Sequence, residues 1–170
     1  MVITTNSGLW RYKIGDTVKF TCLNPYRIKI TGRTKHFINV FGEELVIENA
    51  EKALSLTSEL TKSSISDYTV GPVFMGSKTK GSHEWLIEFD KQPDDLNKFM
   101  EILDLNLQSL NSDYEAKRYK SSTLELPQLV VARKNLFYDW LSSKNKLGGQ
   151  NKIPRLSNSR EFIEELISMN

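Results

Sequence analysis

The sequence predicts an α+β fold, with an N-terminal β-hairpin region followed by a ferredoxin-like βαββαβ sandwich and extra C-terminal helices. Three observations predict it. Apolar residues alternate at period 2 over residues 17–22 and 26–31, take up helical spacing from Glu43, and then fall into strand-like runs with one further helical stripe among them. The strands and helices follow one another in the split-βαβ order. With 170 residues, 39% of them hydrophobic and 26% charged, the chain has the material for one packed core.

Taken in order, β-branched Val2, Ile3, Thr4 and Thr5 lead into Asn6-Ser7-Gly8, a turn signal ahead of the aromatic run 9–12, so a hairpin is expected. Gly15-Asp16 makes a second turn. Val18 and Phe20 then alternate with Thr17, Lys19 and Thr21 in a half-buried strand that Asn24-Pro25 ends. Tyr26, Ile28 and Ile30 face one way and Arg27, Lys29 and Thr31 the other, up to Gly32, giving the first strand of the sandwich. From Glu43 the residues Leu45, Val46, Asn49, Ala50, Ala53, Leu54 and Leu60 predict a helix of about four turns. Residues 68–75 and 84–89 are strands joined by the polar loop 76–82, hence an antiparallel pair. Pro93, Asp94 and Asp95 suit the start of the next helix, whose stripe is Leu96, Phe99, Met100, Leu103, Leu107 and Leu110. A strand over 126–132 and a short helix over 135–142 follow. The terminal helix is expected over 157–169, capped by Ser157 or Asn158.

Composition excludes several classes. The formal charge of +2 is too small to argue for a nucleic-acid partner. No apolar run approaches the roughly 20 residues of a membrane span, so no membrane partner is expected. The chain opens on no charged start with an apolar h-region, and Cys22 stands alone, which fits a reducing cytoplasm. Two basic clusters with glycines in or beside them, 27–35 and 144–155, suit a phosphate-bearing ligand, although a solvated surface has the same composition.

Three segments carry candidate chemistry. In Trp10-Arg11-Tyr12-Lys13-Ile14-Gly15-Asp16, a carboxylate sits at a turn after an aromatic strand, and its two oxygens match the two donors of a ribose diol. A Gly-Asp turn alone is common in β-proteins. The second segment runs from Gly32-Arg33-Thr34-Lys35-His36 to Gly42-Glu43, and an acidic helix with Glu48 and Glu51 follows. In the third, Gly148-Gly149-Gln150-Asn151-Lys152-Ile153-Pro154, a lysine after a Gly loop and pinned by Pro can project its ammonium toward a carboxylate or phosphate. His36 and His83 receive no role, because no second ligand lies at metal spacing.

These segments, in this order and spacing, resemble the auxin-responsive-promoter family (Gretchen Hagen type) of acyl-acid amido synthetases, bacterial type, within the adenylate-forming superfamily that includes acyl-CoA synthetases and luciferase-like enzymes. The likeness rests on Val2-Ile3-Thr4-Thr5-Asn6, Gly8-Leu9-Trp10-Arg11-Tyr12, Gly32-Arg33-Thr34-Lys35 and Asn151-Lys152-Ile153-Pro154-Arg155, and is strongest over 4–53 and 146–157. One position departs from the wider superfamily. Lys13 stands where Arg is frequent, and an ammonium does not make the guanidinium's bidentate contact.

The resemblance implies that Asp16 holds the nucleotide ribose, Arg33 lies near it, Lys35 is the pivot of a domain rotation, and Lys152 is the catalytic lysine, with Lys146 the weaker candidate. It implies ATP and Mg²⁺ as co-reactants of a full-length parent, a carboxylic acid and an amine such as an amino acid as substrates, and two steps, acyl-adenylate formation and transfer to the amine. In this family the phosphate-binding loop and acyl pocket belong to a large N-terminal domain. Residues 1–33 are therefore expected to complete that domain, and 34–170 to form the mobile C-terminal domain. The chain is expected to need the missing N-terminal adenylation domain as its partner and to be inactive alone. Two other classes make different predictions. A stand-alone ferredoxin-like module binding nucleotide or RNA needs strand aromatics placed for base stacking, which Tyr68, Phe74, Trp85 and Phe89 do not match. An oligomerisation domain self-associates with no nucleotide effect.

Overall fold

The computed structural model describes all residues except 15, 34–36, 77–79, 122, 147 and 149–151, and describes the backbone alone for 16, 17, 31–33 and 121. The expected first hairpin forms. Strand β1 (Val2–Ile3) pairs antiparallel with β2 (Tyr12–Lys13), and between them the Thr5 amide donates to Leu9 O at 2.8 Å. Gly8 makes this turn at φ 98°, a left-handed conformation that a Cβ would strain. Next come β3 (Asp16–Leu23) and β4 (Tyr26–Arg33), an antiparallel pair turning at Asn24-Pro25.

Here the ferredoxin-like expectation is corrected. Among the described residues β4 is hydrogen-bonded to β3 and to no strand of the main sheet. Its alternation marks an apolar face, but Tyr26 is 77% exposed and Ile30 61%, so that face does not belong to the core of this chain. Period-2 patterning tells which side of a strand is apolar and is silent about what covers it.

After β4 the chain forms two short strands, β5 (Phe37–Ile38) and β6 (Leu45–Val46), paired antiparallel, and β6 runs straight into helix α1 (Ile47–Thr61). The helix was expected from Glu43. It starts later because the Glu43 carboxylate is engaged in the loop, accepting from the Phe41 amide at 2.7 Å. Ala50, Ala53, Leu54 and Thr57 form the buried face of α1, and Lys62 ends it in the left-handed region. Thr57 is buried without penalty because its hydroxyl donates to Ala53 O at 2.8 Å.

The main sheet has the order β7-β8-β9. Strands β7 (Ser64–Val73) and β8 (Ser82–Lys91) are antiparallel, as expected. Helix α2 (Leu96–Leu110) then crosses over, its first turn capped by the Asp95 carboxylate, which accepts from the Lys98 amide at 3.0 Å. A further helix, α3 (Ser112–Arg118), has no counterpart in the sequence reading; Asn111 caps it by accepting from the Tyr114 amide at 2.8 Å. Strand β9 (Gln128–Ala132) pairs parallel with β8. In the ferredoxin-like plan a strand from the N-terminal side would separate these two, and β4 is not there to do so.

Helices α4 (Leu136–Ser143) and α5 (Glu161–Met169) cover the sheet's second face. Trp85 and Ile87 point into the core shared with α1 and α2, while Leu86 between them packs with Leu136, Phe137, Trp140, Ile163 and Leu166. Strand β8 is thus buried on both faces, which is why it is a continuous apolar run at its centre. Gly71 of β7 meets α5 closely: a Cβ there would lie 2.9 Å from the Ile163 side chain.

Candidate functional site

Asp16 and Arg33 are brought together by hairpin register. They are direct cross-strand partners at the open end of the β3–β4 ladder, with Thr17 opposite Gly32 beside them. Lys35 lies outside the described residues, two positions beyond the end of β4. Lys146 is held by its backbone at the end of α4, its amide donating to Leu141 O at 2.9 Å. Lys152 is exposed, and the residue after it, Ile153, is buried among the residues of the second face.

The segment after Lys152 is docked on the edge of the sheet. Leu156 forms a parallel bridge with Val70 of β7, with the Val70 amide donating to Arg155 O at 2.9 Å and the Ser157 amide donating to Val70 O at 3.1 Å. The Thr69 hydroxyl donates to Pro154 O at 2.7 Å. Arg155 reinforces this edge: its guanidinium lies 4.6 Å from the centre of the Tyr68 ring and pairs with the Asp67 carboxylate. Burial, and then the charge of Glu51, push the Tyr68 phenol well above its ordinary range against the opposing charge of Arg155.

Asn158 joins this segment to the strand that follows residues 34–36. Its carboxamide accepts from the Asn39 amide at 2.8 Å and donates to Phe37 O at 2.9 Å. That use of the side chain explains a correction: α5 begins at Glu161, not at 157, and Asn158 does not cap it.

Glu43 and His83 form a buried hydrogen-bonded pair. His83 Nε2 is 2.9 Å from Glu43 Oε1, both side chains being fully buried, with the Phe41 and Tyr114 rings against the imidazole. Burial pushes the Glu43 carboxyl up, but the hydrogen bond and charge of His83, with backbone hydrogen bonds including that from Phe41, outweigh it and hold the group below its ordinary value. His83, to which no role is assigned from the sequence, is therefore a structural partner. Tyr114 in turn donates to Asp104 Oδ1 at 2.7 Å, and Arg118 donates to both oxygens of that carboxylate, at 2.7 and 2.8 Å. Asp104 was not singled out in the sequence, and Asn158 and Arg155 were read there only as a helix-cap candidate and as part of the family likeness. The one legible signal was Asp104, a charge on the apolar stripe of α2, four residues from Met100.

Among the described residues, no three His, Cys, Asp or Glu side chains gather as a metal site. Tyr68 and Trp85 are buried in the core, so they are not available for base stacking. No helix is long and apolar enough to cross a membrane.

The fold is that of a mixed α+β domain, a sheet between two helical layers, preceded by two hairpins and carrying a lysine just before a segment bridged to the sheet edge. The family comparison assigns the chain: the model described as the GH3 family C-terminal domain matches residues 48–161, and that of the GH3 family central domain matches residues 1–33. The chain belongs to the GH3 family. Among solved structures, one of the GH3.15 acyl acid amido synthetase superposes with a TM-score of 0.76 at 21% identity, covering 98% of this chain and 32% of that one. A second, AtGH3.15 acyl acid amido synthetase in complex with 2,4-DB, gives 0.74 at 21% identity with the same coverage, 98% and 32%. At this identity the likeness is one of fold, and this chain spans about a third of those structures. No curated protein matches in a sequence comparison.

Proposed function

We propose that this chain is the C-terminal part of an ATP-dependent acyl-acid amido synthetase, acting only together with a large N-terminal adenylation domain. The observation that carries the reading is the ordered match of the two GH3 family models, central domain then C-terminal domain, with Arg33 and Lys35 at the junction. The exposed apolar face of the β3–β4 hairpin supports it, since Phe20, Tyr26, Ile28 and Ile30 form a surface that such a domain would cover. Residues 1–33 then complete the large domain and 34–170 rotate as the mobile one.

In this reading MgATP and a carboxylic acid are substrates of the first step, giving an acyl-adenylate and pyrophosphate. An amine, such as that of an amino acid, attacks the acyl carbon in the second step and AMP leaves. Asp16 accepts from the ribose hydroxyls, with Arg33 opposite it in register to hold the nucleotide. The Lys152 ammonium faces the charge that accumulates between carboxylate and α-phosphate, an electrostatic role worth most where water is excluded. Rotation at Lys35 withdraws Lys152 and admits the amine, a gating step. The compartment is the reducing cytoplasm.

The test separates the half-reactions in the full-length parent. Lys152→Ala should depress acid-dependent ATP–pyrophosphate exchange by about a hundredfold or more and leave transfer from preformed acyl-adenylate within a few-fold. Equal loss in both steps contradicts the role given to Lys152. The 170-residue chain alone should give no exchange, and activity from it would overturn the dependence on a second domain.

A further inference from the structure

We propose that Asn158 is a positioning residue for this reaction: its carboxamide splints the strand leaving residues 34–36 to the segment that carries Lys152, so that rotation at the junction and displacement of the lysine are one rigid motion. The inference rests on the roles proposed above for Lys35 and Lys152.

The geometry is specific. By donating to Phe37 O and accepting from the Asn39 amide, the Asn158 side chain satisfies the two peptide groups that flank Ile38. A neighbouring parallel strand would bond the same two groups. The carboxamide thus extends β5 sideways onto the C-terminal segment, 121 residues away from Phe37 in the chain. On its other edge β5 is paired to β6, Phe37 with Val46 and Ile38 with Leu45, and β6 leads into α1. On the far side of the splint, residues 154–157 are laddered onto β7. The Asn39 side chain closes the turn from within, accepting from the Glu44 amide at 3.2 Å.

Packing alone does not supply this rigidity. Ile38 and Leu156 are both fully buried in the same core cluster, which holds strand and segment down. Apolar contact is non-directional, so it fixes depth and leaves twist free. Two short hydrogen bonds from one planar amide fix the direction of β5 relative to the segment. A lysine six residues upstream is then aimed by the same element that receives the rotation.

The experiment uses the full-length parent with Asn158→Ala and Asn158→Asp; the carboxylate keeps the acceptor for Asn39 and loses the donor for Phe37. Asn158→Ala is expected to lower kcat for adenylation by about tenfold to a hundredfold, the cost of misplacing a catalytic group by about 1 Å, with KM for ATP and acid unchanged. Asn158→Asp should fall between it and the wild type. Added to Lys152→Ala, Asn158→Ala should slow adenylation no further. A rise in KM with kcat preserved, or losses that multiply in the double variant, would overturn the positioning role. Hydrogen exchange separates this from the reading beneath it. In Asn158→Ala the β5–β6 amides should exchange at least about tenfold faster while α2 keeps its protection. Unchanged β5–β6 exchange sinks the splint whatever Lys152 does; faster exchange with a fully active Lys152→Ala keeps the splint and sinks the lysine assignment.

Discussion

Asp104 is the point at which a single substitution should cost most in folding. It lies inside the apolar stripe of α2 with its side chain 5% exposed, and Arg118, 10% exposed, is 2.7 Å away. The carboxylate also accepts from the Tyr114 hydroxyl at 2.7 Å and from the Gln108 side-chain Nε2 at 2.8 Å. Burial and then the Asp104 charge push the Tyr114 phenol well above its ordinary value, so tyrosine stays a donor to this carboxylate. In Asp104→Ala the guanidinium keeps its bond to Leu124 O at 2.8 Å but loses its counter-ion in a site largely closed to water. Removing one partner of such a pair costs about 3–5 kcal/mol. For a domain of this size each kcal/mol moves Tm by about 2–4 °C, so a fall of about 6–20 °C is expected in a calorimetric or circular-dichroism melt. The cycle of Asp104→Ala, Arg118→Ala and the double variant should give a coupling of about 2–3 kcal/mol, because the second removal relieves the charge left by the first. A Tm within about 2 °C of the wild type, or strictly additive losses, would refute the assignment of a buried, mutually dependent pair.

Two further substitutions test the region after residue 36. Gly81→Ala would place a Cβ 2.4 Å from the Phe41 ring, so Phe41 must move; a loss of about 1–3 kcal/mol in urea denaturation is expected, and an unchanged midpoint would mean that the Phe41 contact is loose. Glu43 has a folded pKa lowered from 4.5, so its stabilising contribution is fully present above that value and is lost as pH falls through the lower, folded one. Urea midpoints between about pH 3 and 6 should therefore drop on the acid side in the wild type and drop less steeply in Glu43→Gln; parallel curves would show that the carboxylate is not linked to folding.

The sequence was most informative where structure is local. Asp95 follows Pro93 and Asp94 and is followed by a 3.6-period stripe, and α2 begins there with Asp95 as its cap. The two alternating runs on either side of Asn24-Pro25 were legible as strands, but the pairing of Asp16 with Arg33 was not, because two register shifts lie in the ladder between the turn and that pair. What was not legible depends on partners far along the chain. Glu43 looked like the first acid of a helix, and His83, 40 residues away, claims it for the loop. Asn158 had the residue type and position of a helix cap, but its partners are the backbone groups of Phe37 and Asn39. The placement of β4 outside the main sheet failed to show for a related reason: alternation marks its apolar face but does not tell what that face packs against, and here it is exposed.

The bridge at the outer edge of β7 has a consequence for how a defect is read. Residues 155–157 bond to Val70 of β7, β7 is paired with β8, and β8 is paired with β9. The lysine-bearing segment is thus tied to the sheet through its edge strand, and its position depends on that sheet being formed. Under the role proposed for Lys152, a lesion in the sheet would leave the lysine in the chain but displace it, so a defect in folding would be recorded at the bench as a defect in catalysis.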